Sequence, residues 1–439
     1  MILAAGLAAA RALLLVAASA VHARACDDPP PRRLGRLGPA TTLSGDAALR
    51  LRGNAVDRAQ ARSGDRRAEV WQRAVVGADL RHGAHLRLRA ELGRGLAMGT
   101  PEPVPANLHN AGAVQQLFVE VRARLGAFDG GAIVGRQEFA DGPRQLLSVG
   151  DGANLHRTWN GLRLFAAVER LRFGAFALRA TALDSGWFDD DVRDGERLHG
   201  LHMGFEIVPA VGGTAVHVDP FWFHSELPGT RWGHDAGLDE RDTVGARLHG
   251  SVGAIAFDST VAHQSGAFAG RGVDAFGAFV AASVALSDGG WRPRLTVHLD
   301  VGSGGGAGGD GSVRGFHPLR ASSACLGEGA FLSASNLLLV APGVAATPAP
   351  DLRLAIEYGF ARRLTDDDAA YAGRLRPYAG TEAVAGHETG QLLRVSAAWE
   401  LAGGVSLTAG IDHLVAGPVL ERAGFGSATF GYASVRVRF

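Results

Sequence analysis

Lysine is absent from the 439 residues, so all 44 basic side chains other than histidine are arginine, set against 44 aspartates and glutamates. A GC-rich coding sequence accounts for much of that bias. The zero formal net charge lacks the basic footprint that nucleic acid requires. Cysteine is nearly absent too, with only Cys26 and Cys325, and the 16 histidines show no metal-ligand spacing. Neither a metal nor a cofactor is expected. Helical and heptad periodicity are missing. Beyond residue 25 every apolar stretch is interrupted by Arg, Asp, Glu or Gly, so none can form a transmembrane helix. A membrane home would therefore demand a closed barrel.

What is present begins with an apolar run over residues 12–21, preceded by Arg11 and followed by the small-x-small site Ala23-Arg24-Ala25. That is the layout of a cleaved signal peptide over 1–25. The alternative is a lipoprotein signal acylated at Cys26, for which Arg24 fits poorly. Residues 26–40 then read as a periplasmic N-terminal segment, and 41–439 as one domain.

At the other end, Ala433, Val435, Val437 and Phe439 fall on one face of an extended segment, and Tyr432, Ser434, Arg436 and Arg438 on the other. One apolar and one cationic face suit a wall between lipid and water. About eighteen such segments run from 41–52 to 428–439, near the ten-residue length of tilted spanning strands. They include 331–340, and the weakly patterned 171–181 and 273–286. Long connections (53–66, 93–114, 140–156, 182–198, 225–240, 265–272, 303–330, 362–389 and 415–427) alternate with short ones, of which 341–350 is the poorest. The predicted fold is all-β, a transmembrane antiparallel up-and-down barrel with long loops outside and tight turns in the periplasm.

The period of two also assigns faces. Leu86, Leu88, Ala90 and Leu92 would meet lipid, leaving Arg87, Arg89 and Glu91 in the bore. Val119, Val121 and Ala123 leave Glu120, Arg122 and Arg124 inside. The same phase places Arg50, Glu69, Arg73, Arg136, Glu138, Arg163, Arg247, Arg294, Asp300, Arg353, Glu357, Arg394, Glu400 and Asp412 in the lumen. A charge on the lipid face costs about 2–4 kcal/mol at mid-depth, which favours this phase. These groups could simply solvate a wet wall and pair across strands. They could also form an arginine-rich path for a polyanion, with acidic neighbours keeping any one site weak enough for release.

The closing segment resembles the last strand of bacterial outer-membrane barrels, whose terminal Phe is read by the barrel assembly machinery. Gly135 through Phe139, then Gly142, Arg144, Asn154, Arg157, Trp159, Gly161 and Arg163, resemble the alginate export family. Phe188-Asp189-Asp190, Thr243 to Leu248, Asp310-Gly311 ahead of Phe316 to Leu319, and the last hairpin from His413 to Phe439 match in the same order. The resemblance implies an 18-stranded outer-membrane barrel that passes an anionic polysaccharide past constricting arginines. By matching positions these are Arg136, Arg144, Arg157 and Arg163, with Glu138 beside them. Outer-membrane lipid and lipopolysaccharide are expected partners, and a periplasmic polysaccharide-handling protein is a further one.

The leading function is passive export of an alginate-like polyuronate, without catalysis. The alternatives are a general or small-anion porin, an outer-membrane barrel enzyme using a pair such as Ser259 and His263, and a plugged structural barrel. Gly304 to Gly309 lacks the strand–helix setting of a nucleotide loop and reads as a flexible outer loop. The acidic runs at 189–191 and 366–368 read as solvated loop tips. Trp222, His224, Trp232 and His234 read as an aromatic girdle or, more sharply, a sugar platform. The topology sets Cys26 and Cys325 on opposite sides of an apolar band about 25 Å tall, beyond disulfide reach. The purified protein should therefore migrate identically on reducing and non-reducing gels, and an oxidation-dependent shift would contradict that topology.

Overall fold

Residues that alternate in polarity and end at tight turns can satisfy their backbone only by pairing with neighbours, and here the pairing runs full circle. The computed structural model describes residues 32–439 apart from 63, 143, 234 and 307–310. The expected signal peptide, Cys26, His234 and Asp310 lie outside the described residues. Residues 32–38 form an edge strand that hairpins onto Thr41–Gly45, so part of the expected N-terminal segment extends the sheet. The barrel strands follow as β1 (Thr41–Asp57), β2 (Arg66–His82), β3 (Leu86–Met98), β4 (Asn110–Leu125), β5 (Phe128–Glu138) and β6 (Thr158–Val168). Next come β7 (Leu171–Ala182), β8 (Asp191–Val211), β9 (Thr214–Trp232), β10 (Asp235–Val252), β11 (Ile255–Phe268) and β12 (Arg271–Ala285). The circuit ends with β13 (Arg294–Gly302), β14 (Leu337–Ala349), β15 (Leu352–Arg362), β16 (Glu388–Leu401), β17 (Val405–Ala416) and β18 (Ala428–Arg438). Each pairs antiparallel with the next, and β18 closes on β1 from Ala48↔Arg438 to Asp57↔Thr429.

The short-turn end is tight. Gly212 and Gly213, both at positive φ, make the β8–β9 turn in the primed geometry that matches strand twist. The other end departs from the expected loop rhythm at two places. Segments 225–240 and 265–272 are hairpin arms, the first paired up to Trp232↔Asp235 and the second turning at 269–270, because their polar residues continue the ladder above the apolar belt. The strand expected at 331–340 begins only at Leu337, and 341–349 continues it, so the turn there is Pro350-Asp351. Phe331 and Leu332 have the alternation of a strand but are buried inside the barrel instead.

The described parts of two long connections, 139–157 and 303–336, fold into the bore. Leu146, Leu147, Leu319, Leu326 and Phe331 join Phe139, Trp159, Phe176 and Phe223 of the wall and its adjoining loop in one apolar cluster. Each such fully buried side chain contributes on the order of 1.5–3 kcal/mol. The two loops also knit together, Arg320 N donating to Leu146 O at 2.8 Å and Ser148 N to Arg320 O at 2.9 Å. On the wall, Arg241 donates to Gly315 O at 2.8 Å and Gln264 Nε2 to His317 O at 2.8 Å. Trp232, expected in an outer girdle, is fully buried beside these anchors and donates to Asp239. Trp222 does face outward and bonds Asp242 at 2.9 Å.

Arg136 departs from its expected place in the lumen. Its cross-strand neighbours are Leu117, an exposed outward residue, and Asn160. It thus shares the outer phase of Val134, while Gln137 turns inward and is buried. The guanidinium donates to Asn160 Oδ1, Val114 O and Asp190 Oδ2, each at 3.1 Å. These bonds hold the 183–190 loop, which passes outside the short β5–β6 hairpin and pairs with the open edge of β4 (Ala111 N to Ser185 O 3.0 Å, Phe188 N to Gly112 O 2.8 Å). The strap fills the gap left where the chain after Glu138 turns into the bore.

Removing the guanidinium should free the strap. Arg136→Gln is expected to make the 183–190 loop sensitive to protease while leaving conductance unchanged, and a conductance change without cleavage would put Arg136 back in the path. A second expectation concerns His317, which burial and the nearby Arg241 and Arg320 charges push down to about 3. Its neutral Nδ1 accepts the Leu319 N–H at 2.9 Å. A released loop would titrate near the ordinary histidine value of about 6.5, so docking is fully stable above that pH and loses about 1.4 kcal/mol per unit below it. Proteolysis of the 303–336 loop should rise between pH 7 and pH 5, and His317→Asn should abolish that dependence.

Candidate functional site

The inward face collects the charges because the outward face cannot hold them. On β3 and β4, Arg87, Arg89, Glu91 and Glu120 are inside, while Leu86, Leu88, Leu92, Val119 and Val121 are exposed on the outside. Most of the inward charges are paired. Arg87 lies 2.5 Å from Asp79 and 3.3 Å from Glu120, and Arg89 bridges Asp46 and Glu91. Arg247 binds Asp258 at 2.6 Å, and Arg394 binds Glu357 at 2.9 Å and the Ala324 carbonyl at 3.0 Å. Arg124 pairs with Asp129 at the short-turn mouth, and Arg353 is on the inward phase opposite Ala398 without a carboxylate in ion-pair range among the described residues.

The loop residues act mainly as ties. Arg144 bonds Asp151, and Arg157 donates to Ser148 O at 2.8 Å and Arg320 O at 3.1 Å. Burial, then the Arg320 charge, lowers Arg157 to about 9. Glu138 is 2.6 Å from His156 Nδ1, and Arg73 is 2.5 Å from His156 Nε2. A guanidinium can only donate, so Nε2 accepts and Nδ1 carries the hydrogen given to Glu138. Arg73 also stands beside Arg50, which in turn stands beside Arg436, three guanidinium-bearing positions abreast on β2, β1 and β18. Like charges opposite one another are unfavourable. The Asp151 and Ala153 carbonyls, each accepting from Arg50, offset that here.

Between the 139–157 loop and the β4–β11 wall lies a cavity of about 440 Å³. Arg122, Arg163, Arg172 and Arg247 border it, with Asp129, Asp141 and Asp219 as acidic neighbours. Arg163 lies 4.7 Å over the Phe139 ring and Arg122 lies 5.1 Å over Phe165. Stacking leaves the Arg163 N–H edges able to fork onto a carboxylate, while Arg122 also pairs with Glu120 at 3.2 Å and Asp129 at 3.7 Å. Arg163 has no carboxylate within ion-pair distance among the described residues, and its nearest acceptors are Gln137 Oε1 and Glu138 O, each at 3.5 Å. His202 closes one side 2.6 Å from Asp141, and only a glycine fits opposite it, since a Cβ at Gly174 would strike its ring. Sequence phase located these arginines but not Phe139 and Phe165 beneath them, nor Arg172. Tall aromatics in the inward phase are a readable signal for the former. Cys325 lies at the meeting of the two loops, its thiol pushed up to about 12 by burial and by Asp300.

Ser259 and His263, the pair weighed for a hydrolase, do not meet. Ser259 and His263 share the outer face but are four residues apart on β11, about 13 Å along the strand. His263 instead lies 2.9 Å from Asp274.

Comparison with solved structures gives the same architecture. The outer membrane protein OpdK of Pseudomonas aeruginosa is 13% identical, with a TM-score of 0.60 over 92% of this chain and 100% of that one. OccK2 (OpdF) of the same species, solved in complex with glucuronate, is 12% identical, with a TM-score of 0.56 over 92% and 99%. OccAB1 of Acinetobacter baumannii is 12% identical, with a TM-score of 0.59 over 90% and 96%. No curated protein matches the chain. The alginate export family model matches residues 41–433, nearly the whole described barrel. Family and fold are those of bacterial outer-membrane pores, and the chain belongs to the alginate export family.

Proposed function

We propose that this pore passively exports an anionic, alginate-like polyuronate, and that the stacked guanidinium groups at the 440 Å³ cavity are where successive carboxylates bind. The observation that carries the reading is Arg163, held 4.7 Å over the Phe139 ring with no carboxylate in ion-pair range among the described residues. An always-charged fork facing water attracts a carboxylate, and the acids nearby at Asp141 and Asp129 keep the attraction short-lived. Arg87, Arg89, Arg122, Arg124, Arg73, Arg247, Arg353 and Arg394 extend the path along the wall. Glu138, Arg144 and Arg157 serve it by shaping the loop that narrows the bore, and Arg136 serves it from outside through the strap.

A second reading, a small-anion porin, is favoured by the two loops packed into the bore, and a similar barrel was solved with glucuronate. Single-channel recording in planar bilayers separates the two. Export predicts that oligouronates block conductance far better than glucuronate monomer, with neutral oligosaccharides inert. Arg163→Gln should weaken that block roughly tenfold, the worth of one charge-assisted contact. Equal block by monomer and oligomer would favour the small-anion porin, and no block by either would reject both.

A further inference from the structure

Three outward arginines sit near the long-loop end of alternate strands. Arg94 is eight residues above Leu86 on β3, Arg136 eight above Phe128 on β5, and Arg179 eight above Leu171 on β7. At 3.4 Å per residue and a tilt near 40°, eight steps rise about 20 Å, close to the top of an apolar band about 25 Å tall. Arg136 is neutralised by Asp190 of the strap. Arg94 and Arg179 are exposed, and among the described residues neither has a carboxylate in ion-pair range. Between them the strap presents Trp187 and Phe188, 66% and 54% exposed, with ring centroids 6.0 Å apart. Trp187 lies over Gly112, the stretch of β4 that faces Arg94 across the irregular pairing between Gly93 and Gly95.

Below this row the lipid-facing wall is indented. Ala78 and Ala90 oppose one another on β2 and β3, and with Leu80, Leu88, Leu117 and Val134 they line an apolar cleft of about 290 Å³. Ala90 is one strand turn of the pleat below Leu92 and four residues below Arg94, so the cleft begins about 10 Å under the guanidinium. An acyl chain in the cleft would therefore bring its headgroup to the arginines and the aromatic pair.

We propose that the outer face of β2–β7 is a binding site for the phosphorylated glycolipid of the outer leaflet, lipid A. Its phosphates bind Arg94 and Arg179, one acyl chain fills the Ala78–Ala90 cleft, and Trp187 and Phe188 rest at the sugar level. Charge complementarity selects this occupant: unpaired cations at headgroup depth above an apolar groove fit a lipid whose anionic groups sit on its sugars. The site stands on the outer face and is independent of what the bore carries.

The test is native mass spectrometry of the full chain in detergent with bisphosphorylated lipid A, with its dephosphorylated analogue, and with inorganic phosphate as competitor. The wild-type protein should retain bisphosphorylated lipid A selectively and resist competition by phosphate. Arg94→Gln with Arg179→Gln should weaken retention roughly tenfold or more. Ala90→Leu, which fills the cleft, should weaken it through the acyl chain, and neither change should alter channel conductance. Equal retention of the dephosphorylated lipid by the wild-type protein would overturn the proposal. So would displacement by free phosphate, undiminished binding by the folded double variant, or a second copy of the chain covering the cleft.

Discussion

Every backbone group that faces hydrocarbon must be hydrogen-bonded within the protein, and this constraint shapes the whole molecule. No helix among the described residues is long and apolar enough to cross a membrane, so the chain meets the constraint with strands alone. A flat sheet would leave two open edges. The pairing of β18 with β1 removes them, and Phe439 N continues the seam by donating to Ala47 O at 2.8 Å. Once the circle is closed, the pleat does the rest. Alternate side chains enter oil, and the chain's ionic groups are pressed into the bore or above the belt.

That sorting explains why the fold was so readable. Arg87, Arg89 and Glu91 against Leu86, Leu88 and Leu92 have one stable arrangement, and the structure adopts it. Segments 171–181 and 273–286, weakly patterned because of Ala and Gly, still became strands since a barrel cannot skip one. Reading failed where tertiary structure replaced lipid as the apolar medium. Phe331 and Leu332 look like a lipid-facing strand and are instead core inside the barrel. Arg136 sits two residues from Val134 and keeps its outward phase, which strand counting alone would have revealed. The strap that makes this position tolerable comes from residues more than forty positions later, so no local pattern announced it.

Filling the bore has its own logic. Buried loops carry backbone groups that need partners, and the wall supplies them through side chains as well as main chain. Arg241 and Gln264 of the wall, and Arg157 and Asn336 of the loops themselves, each spend donors on loop carbonyls. Arginine therefore has two employments here. Where its donors are used up by carbonyls or paired acids it is a strut, and where it lies over an aromatic ring clear of any carboxylate among the described residues, as at Arg163, it is a docking point. The absence of lysine suits both, because only guanidinium offers a planar, multidentate cation.

The central claim is that the guanidinium groups stacked over aromatic rings at the cavity set which ions pass. Reversal potential across a bilayer bathed in a KCl gradient tests it most directly. The account predicts a potential of the sign for chloride-preferring permeation, moving toward zero when Arg163 and Arg122 are both replaced by Gln. A cation-preferring wild-type channel, or selectivity untouched by those two changes, would contradict it.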